Sequence, residues 1–349
     1  MTLSPHILGC LLGTAVGDAA GLRREGLTPR RAQRLFGTDV SPNLLAGLGM
    51  CSDDTEHAVM VARALALANR DADRFERLLA VQLKRWLLTA PAGVGLATLR
   101  ACLKLLVGFG PSRSGVFSAG NAPAMRSALI GVASQSDAQC EEFVRRATRL
   151  THTDPKAEEG ALVVARAAGL TARGIAIEPA AFLLNEANRV SGSELGERLT
   201  AAHRSLVDGV QPSEFAEAQG WSKGVSGYVN ETVPAALYCW AASLDDFRQS
   251  VTNAVLLGGD TDSVAAITGA ISGANLGHSA IPGEWISRLA EWPRNVAWMH
   301  KTAEILAENL TGERFTHPPP MHWLATIPRN AVFATIVLGM GFRRLLPPY

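Results

Sequence analysis

Gly258-Gly259-Asp260-Thr261-Asp262-Ser263-Val264-Ala265-Ala266-Ile267 is the stretch on which the reading of this chain turns. Two glycines permit a sharp approach, and four side chains bearing hard oxygens follow without a break. An apolar, alanine-rich run then predicts a helix over 262–276. Far upstream the same order recurs. Cys51-Ser52-Asp53-Asp54-Thr55-Glu56 stands immediately before Ala58-Val59-Met60-Val61-Ala62, and a helix is predicted over 55–69.

Working outward, helical spacing continues through 74–89, 141–150, 156–168, 178–188, 232–244, 247–257 and 297–309. Arg74 to Leu83 sets its apolar groups three and four residues apart. Ser134-Gln135-Ser136-Asp137 reads as a helix start, with Cys140, Phe143 and Val144 on the apolar side. Few segments alternate with period two and no hairpin pair stands out. Gly and Pro punctuate 91–95, 108–123, 207–212 and 311–320, which read as loops, and a last apolar helix is predicted near 326–340. The expected fold is all-α, one compact multi-helix domain over 1–349.

Composition bounds the function. With 47% apolar and 19% charged residues the chain is globular rather than disordered. Its 33 basic and 32 acidic side chains leave a net charge of +1, which supplies no electrostatic reason to expect nucleic acid as a partner. The 5 cysteines are scattered and lack CxxC spacing, so neither a disulfide framework nor a cysteine zinc site is expected, and a cytoplasmic location fits. No leader pattern is seen at the N-terminus. The most apolar stretch, Leu324 to Met340, is interrupted by Arg329 and Asn330, so no membrane span is expected. A monomer is the working expectation.

Each acidic cluster has two readings. Ser or Asp before a helix caps its free N–H groups, and acids suit its positive end. Capping explains single residues in each cluster, but hardly the whole second one. If both clusters face one cavity, they supply four carboxylates and several hydroxyls, a donor set suited to Mg²⁺ or Mn²⁺. Gathered without cations, such charges would repel or take up protons.

The clusters belong to a longer ordered set. Gly13-Thr14-Ala15-Val16-Gly17-Asp18-Ala19-Ala20-Gly21 and Glu25 come first, then Ser52-Asp53-Asp54-Thr55, then Gly120-Asn121 with Met125-Arg126. Thr151-His152-Thr153-Asp154-Pro155, Gly227-Tyr228-Val229-Asn230-Glu231-Thr232 and Gly259-Asp260-Thr261-Asp262-Ser263 complete it. In this order, from Gly9 to about Gly277, the chain resembles the ADP-ribosylglycohydrolase family. That family includes the dinitrogenase-reductase-activating glycohydrolase and the ADP-ribosylarginine and ADP-ribosylserine hydrolases.

The resemblance implies a compact helical fold with a pair of metal ions, two Mg²⁺ or Mn²⁺. Ser52, Asp53 and Asp54 would ligate from one side and Asp260, Asp262 and Ser263 from the other. Where many members have Thr, Ser52 and Ser263 keep the oxygen and lose a methyl. Glu25, Asp53, Asp54 and Asp262 become the catalytic candidates, Glu25 from a loop over the substrate. Gly120, Asn121, His152 and Tyr228 become substrate-binding candidates. Read locally, Gly17-Asp18 and Gly21 suit a tight helix-to-loop transition, His152 a satisfied core histidine or a base, and Tyr228 a core aromatic. Gly269, Gly273 and Gly277 suit close helix packing. Trp221 and Lys223 line a substrate rim or belong to an ordinary loop. Ala122-Pro123 departs from the second glycine common in the family, and Pro123 offers no N–H to a pyrophosphate.

The expected reaction is metal-dependent hydrolysis at the anomeric carbon of ADP-ribose carried by a protein, with arginine the favoured acceptor. Serine-linked or small-molecule adducts, and a protein that only binds ADP-ribose, are the alternatives.

Overall fold

Ser4–Gly21, a helix that no amphipathic period announces, is buried on every side from His6 onward. Apolar residues and glycines surround its axis, so there is no polar face to set a 3.6-residue rhythm. It runs antiparallel to Thr261–Leu276, the helix that follows the second acidic cluster. A Cβ placed on Gly9, Gly13, Gly17 or Gly21 would strike the backbone of Gly273, Gly269, Ala265 or Thr261 respectively. Glycine every fourth residue therefore lets the two backbones touch along their length. Gly17 accordingly lies within the helix as a packing residue, not at a helix-to-loop transition. Of the three later glycines, Gly269 and Gly273 pack as expected, whereas Gly277 has φ +78° and ends the helix.

The computed structural model describes residues 3–175, 177–312, 315–345 and 347. Among them the chain forms nineteen α-helices and two 3₁₀ turns, with isolated β-bridges between loops. The fold is all-α. Asp53–Ala68, Pro155–Ala172, Val229–Ala241 and Val296–Thr311 pack around the central antiparallel pair. Most of the apolar core is one continuous cluster that includes Trp86, Tyr238 and Trp240. Ser136 caps Asp137–Arg149 by accepting from Gln139 N at 3.2 Å, and Cys140, Phe143 and Val144 face inward. All five cysteines are buried and free.

The last helix, Trp323–Arg344, is longer than predicted and corrects one expectation. By length and composition alone its 22 residues are long and apolar enough to cross a membrane. Arg329 and Asn330, which read as interruptions, instead fasten it to the protein. Arg329 pairs with Glu291 at 2.6 Å and donates to the Cys51 carbonyl at 2.5 Å. Asn330 donates to Thr89 at 3.0 Å. The opposite side of the helix leaves Leu338 and Phe342 exposed.

Candidate active site

Both acidic clusters open helices, and the central helix pair brings those openings together. Ser263 Oγ donates to Asp54 Oδ2 at 3.1 Å although 209 residues separate them, and Ser52 Oγ donates to the same oxygen at 3.1 Å. Ser52 is also a true cap, accepting from Asp54 N at 3.3 Å. Asp260 occupies the cap position of Thr261–Leu276 without capping it. Its Oδ2 accepts instead from Asn121 Nδ2 at 2.7 Å, and Asn121 also donates to Thr232 Oγ1 at 3.1 Å. Capping thus accounts for Ser52 and leaves the Asp260 carboxylate to another task.

Gly258 and Gly259, at φ +72° and +80°, set the approach into the second cluster. This left-handed backbone suits glycine. Gly259 is bonded on two sides. Its N–H donates to Leu27 O at 2.8 Å and its carbonyl accepts from Gly26 N at 2.7 Å. Asp260 N then donates to Val225 O at 2.7 Å. The Glu25 loop and the 225–228 loop are thereby tied to one backbone point beside Asp260.

A cavity of about 340 Å³ lies between these segments. Glu25, Asp53, Asp54, Asp260, Asp262 and Ser263 line it, together with Gly120, Asn121, His152, Gly227, Gly93 and residues 95–98. Ser52 sits just behind the wall. The Tyr228 side chain, unlike the adjacent Gly227, is not part of the lining. Its hydroxyl donates to Glu194 at 2.5 Å and accepts from Lys156 at 2.6 Å. These bonds, with Lys156 and Asn230 donating to Glu194, hold the Glu194 carboxyl down at about 2. Trp221 and Lys223 line a separate cavity with Thr28 and Pro29, so they do not line this one.

The electrostatics follow from burial. Asp53, Asp54 and Asp262 are pushed well above the usual carboxylate range, first by desolvation and then by neighbouring carboxylates. Asp18 is the main neighbour for Asp53 and Asp54, and Glu25 for Asp262. Glu25 is raised by burial and by the charge of Asp260, while Arg344 opposes the rise. Asp54 Oδ1 and Asp262 Oδ1 are buried and accept no hydrogen bond. Among the described residues no trio of acidic, histidine or cysteine side chains is already gathered into a metal cage. The carboxylates are turned partly toward serine and asparagine donors, and both side-chain donors bonded to Asp54 are serine hydroxyls.

Two residues that the sequence motifs include, but to which no supporting role was given, hold the site. Asp18, fully buried, accepts from Ser52 N at 2.9 Å, Thr55 N at 3.1 Å and Thr55 Oγ1 at 2.5 Å, so it seats the whole first cluster. Burial raises its carboxyl to about 7 against the pull of these donors. A lone Asp inside an apolar helix was the available signal. Arg126, also buried, donates to His57 Nδ1 at 2.9 Å and to Thr151 Oγ1 at 2.6 Å. Thr151 Oγ1 lies 2.9 Å from His152 Nδ1. The Thr151 hydrogen has two acceptors in reach, His152 Nδ1 at 2.9 Å and Thr148 O at 3.5 Å; when it goes to His152, the ring hydrogen falls on Nε2, which faces Gly120. Burial and then Arg126 depress His152 to about 3, so the ring is neutral. That geometry favours a hydrogen-bond donor over the general base also considered for His152.

The fold and cavity define a class: an all-α protein with a carboxylate-lined cleft where two helix N-termini converge. The ADP-ribosylglycohydrolase family profile matches residues 1–319. The chain belongs to the ADP-ribosylglycohydrolase family, and its activity is hydrolysis of a glycosidic bond to ADP-ribose. It is 27% identical over 292 residues to the ADP-ribosyl-dinitrogen reductase glycohydrolase of Rhodospirillum rubrum, covering 81% of this chain and 89% of that one. It is 30% identical over 307 residues to the ADP-ribosylarginine hydrolase Tri1 of Serratia proteamaculans, covering 82% and 75%. A solved ADP-ribosylglycohydrolase-related protein complex superposes with a TM-score of 0.66 at 28% identity, over 88% of this chain and 99% of that one.

Proposed function

We propose that this chain is a divalent-metal-dependent hydrolase that removes ADP-ribose from arginine on proteins. The observation that carries the metal half is the pair of buried, unpartnered oxygens, Asp54 Oδ1 and Asp262 Oδ1, on one cavity wall. A buried carboxylate oxygen with no donor is costly, and a hard cation meets that need. Ser52, Asp53 and Asp54 would hold the cations from one helix start, and Asp260, Asp262 and Ser263 from the other. Two Mg²⁺ or Mn²⁺ ions, when bound, supply positive charge that offsets the carboxylates, orients ribose hydroxyls and polarises water.

The protein's own groups complete the reaction. Asn121 and Asp18 hold Asp260 and the first cluster in position. His152, neutral with its Nε2 hydrogen toward Gly120, donates to the diphosphate or ribose. Positive charge develops on the ribose ring as the bond to the acceptor weakens, and the surrounding carboxylates stabilise it. Glu25 handles the proton: water adds to the anomeric carbon, and the departing guanidine nitrogen is protonated. The arginine preference draws on the Serratia relative, whose name states that linkage. Tyr228, next to the lining residue Gly227, suits the adenosine end.

The test is ADP-ribose release from matched arginine- and serine-linked peptides, with Mg²⁺, Mn²⁺ or chelator. Metal-dependent release from the arginine peptide, lost in Asp54→Asn, is the expected result. Undiminished release in chelator removes the metal reading, faster release from the serine peptide removes the acceptor assignment, and tight ADP-ribose binding with no release removes turnover.

A further inference from the structure

The Trp323–Arg344 helix lies outside the family-matched residues 1–319, yet both of its ends bear on the site. Near its start, Arg329 donates to the carbonyl of Cys51, and Glu291, its ion-pair partner, accepts from Cys51 N at 2.7 Å. Cys51 immediately precedes Ser52, so this end grips the entry to the first acidic cluster. At the far end, Arg344 Nη1 donates to Glu25 O at 2.7 Å and Nη2 to Arg23 O at 2.8 Å. Arg31 returns a bond to the Arg344 carbonyl. Fifteen residues of helix separate the two grips, roughly 22 Å at 1.5 Å per residue.

Between them the helix forms an apolar cluster separate from the main core. Phe333 packs with Leu22, Leu44 and Met50, and Ile336, Val337 and Met340 flank it. Leu22 opens the short turn that leads into Glu25, and Met50 leads into Cys51. The same helix therefore holds both segments through apolar packing as well as through the two arginines.

We infer that Trp323–Arg344 is a strap that sets the position of the Glu25 loop over the carboxylate cavity, with Arg344 as the positioning residue. The inference rests on the role of Glu25 in the proposed hydrolysis. Arg344 reaches the loop through its main chain: a forked guanidinium holds two carbonyls two residues apart, leaving the Glu25 carboxylate free to face the cavity. Its charge is also felt there, since Glu25 and Asp262 both oppose the fall in its pKa that burial causes. Loop position sets how Glu25 meets the leaving group, so loosening the strap should act on turnover more than on binding.

The experiment compares Arg344→Ala, Arg344→Lys and Arg343→Ala in the full chain. Arg343 is the exposed neighbour, whose guanidinium donates to Pro347 O at 3.1 Å. Two readouts are taken: hydrogen exchange at amides of residues 22–28 without substrate, and kcat and KM for an ADP-ribosylarginine peptide. Arg344→Ala should speed exchange in 22–28 while the helices Ser4–Gly21 and Thr261–Leu276 keep their protection. It should lower kcat by about ten- to a hundredfold, the range expected when a reacting group is misplaced, with KM changed less than about twofold. Arg344→Lys, which can hold only one carbonyl well, should recover part of the loss, and Arg343→Ala should match the wild type. Unchanged exchange in 22–28, unchanged kcat with loosened exchange, or a loss of protection throughout the molecule overturns the strap. If the wild-type chain releases no ADP-ribose from any linked substrate, the proposed function fails, and exchange alone still decides whether the strap holds the loop.

Discussion

Asp18→Asn keeps the shape of a buried side chain and removes half of its accepting capacity. The wild-type carboxylate takes the Ser52 N–H on both oxygens at 2.9 Å and the Thr55 N–H and hydroxyl on Oδ2 at 3.1 and 2.5 Å. Asparagine keeps one oxygen, best placed for the two Thr55 donors, and turns an NH₂ toward the Ser52 N–H. The Ser52 N–H keeps only that shared oxygen, already 2.9 Å away, and now faces a second donor, while the new NH₂ has no acceptor on that side, at a cost of about 1–3 kcal/mol. The strain falls on the residue that carries Ser52 Oγ, itself bonded to Asp54. If the first cluster shifts to relieve it, the same energy taken from transition-state positioning corresponds to a roughly five- to 150-fold loss in kcat. The assay pairs ADP-ribose release with circular dichroism and a thermal melt. The expected result is an unchanged helical spectrum, a melt lowered by a few degrees and kcat in that range. A variant with wild-type kcat at saturating metal would show that Asp18 does not seat the cluster.

Other predictions are local. Gly13→Ala should cost about 1–3 kcal/mol by driving the central helices apart, read as a shift in the denaturation midpoint; an unchanged midpoint would mean the pair does not touch there. Acid should destabilise the protein through His152 and His57, both held neutral by burial and then by Arg126. Because their folded pKa values lie below the unfolded 6.5, this stability is fully present above pH 6.5 and is lost as the pH falls toward the folded values, about 3 for His152. Between pH 6.5 and 5 His152 alone should remove about 2 kcal/mol, measurable by urea titration and absent in His152→Gln. Asn121→Ala should release the Asp260 carboxylate and raise the metal concentration needed for half-maximal activity, while a wild-type metal titration would leave Asn121 without that role.

Legibility in the sequence followed local chemistry. Helices with an apolar stripe were readable: 74–89 became Ala72–Leu87 and 297–309 became Val296–Thr311. Ser4–Gly21 was not, because a helix buried all round has no polar face to mark its period. The two oxygen-rich helix starts were visible as composition, and their meeting came from the ordered motifs rather than from spacing. Asp18 and Arg126 were hidden because their partners lie on other segments. Gly93 and Gly95, inside the loop read at 91–95, and residues 96–98 after it line the cavity through a fold-level approach that no local signal carries. Tyr228 was read as a core aromatic or a substrate contact; it is half-buried, and its hydroxyl is engaged by Lys156 and Glu194.

Thr261 Oγ1 donates to Gly21 O across 240 residues of sequence, the end of the backbone-to-backbone seam that seats the site. A nascent polypeptide elongating at about 5–20 residues per second would carry Ser4–Gly21, sticky on all sides, without its mate for roughly 12 to 48 s. During that interval the segment is a natural client for chaperones, and a prematurely terminated product would stay one. Catalytic competence waits for the second of the two helices, so a chain that has made only the first is silent.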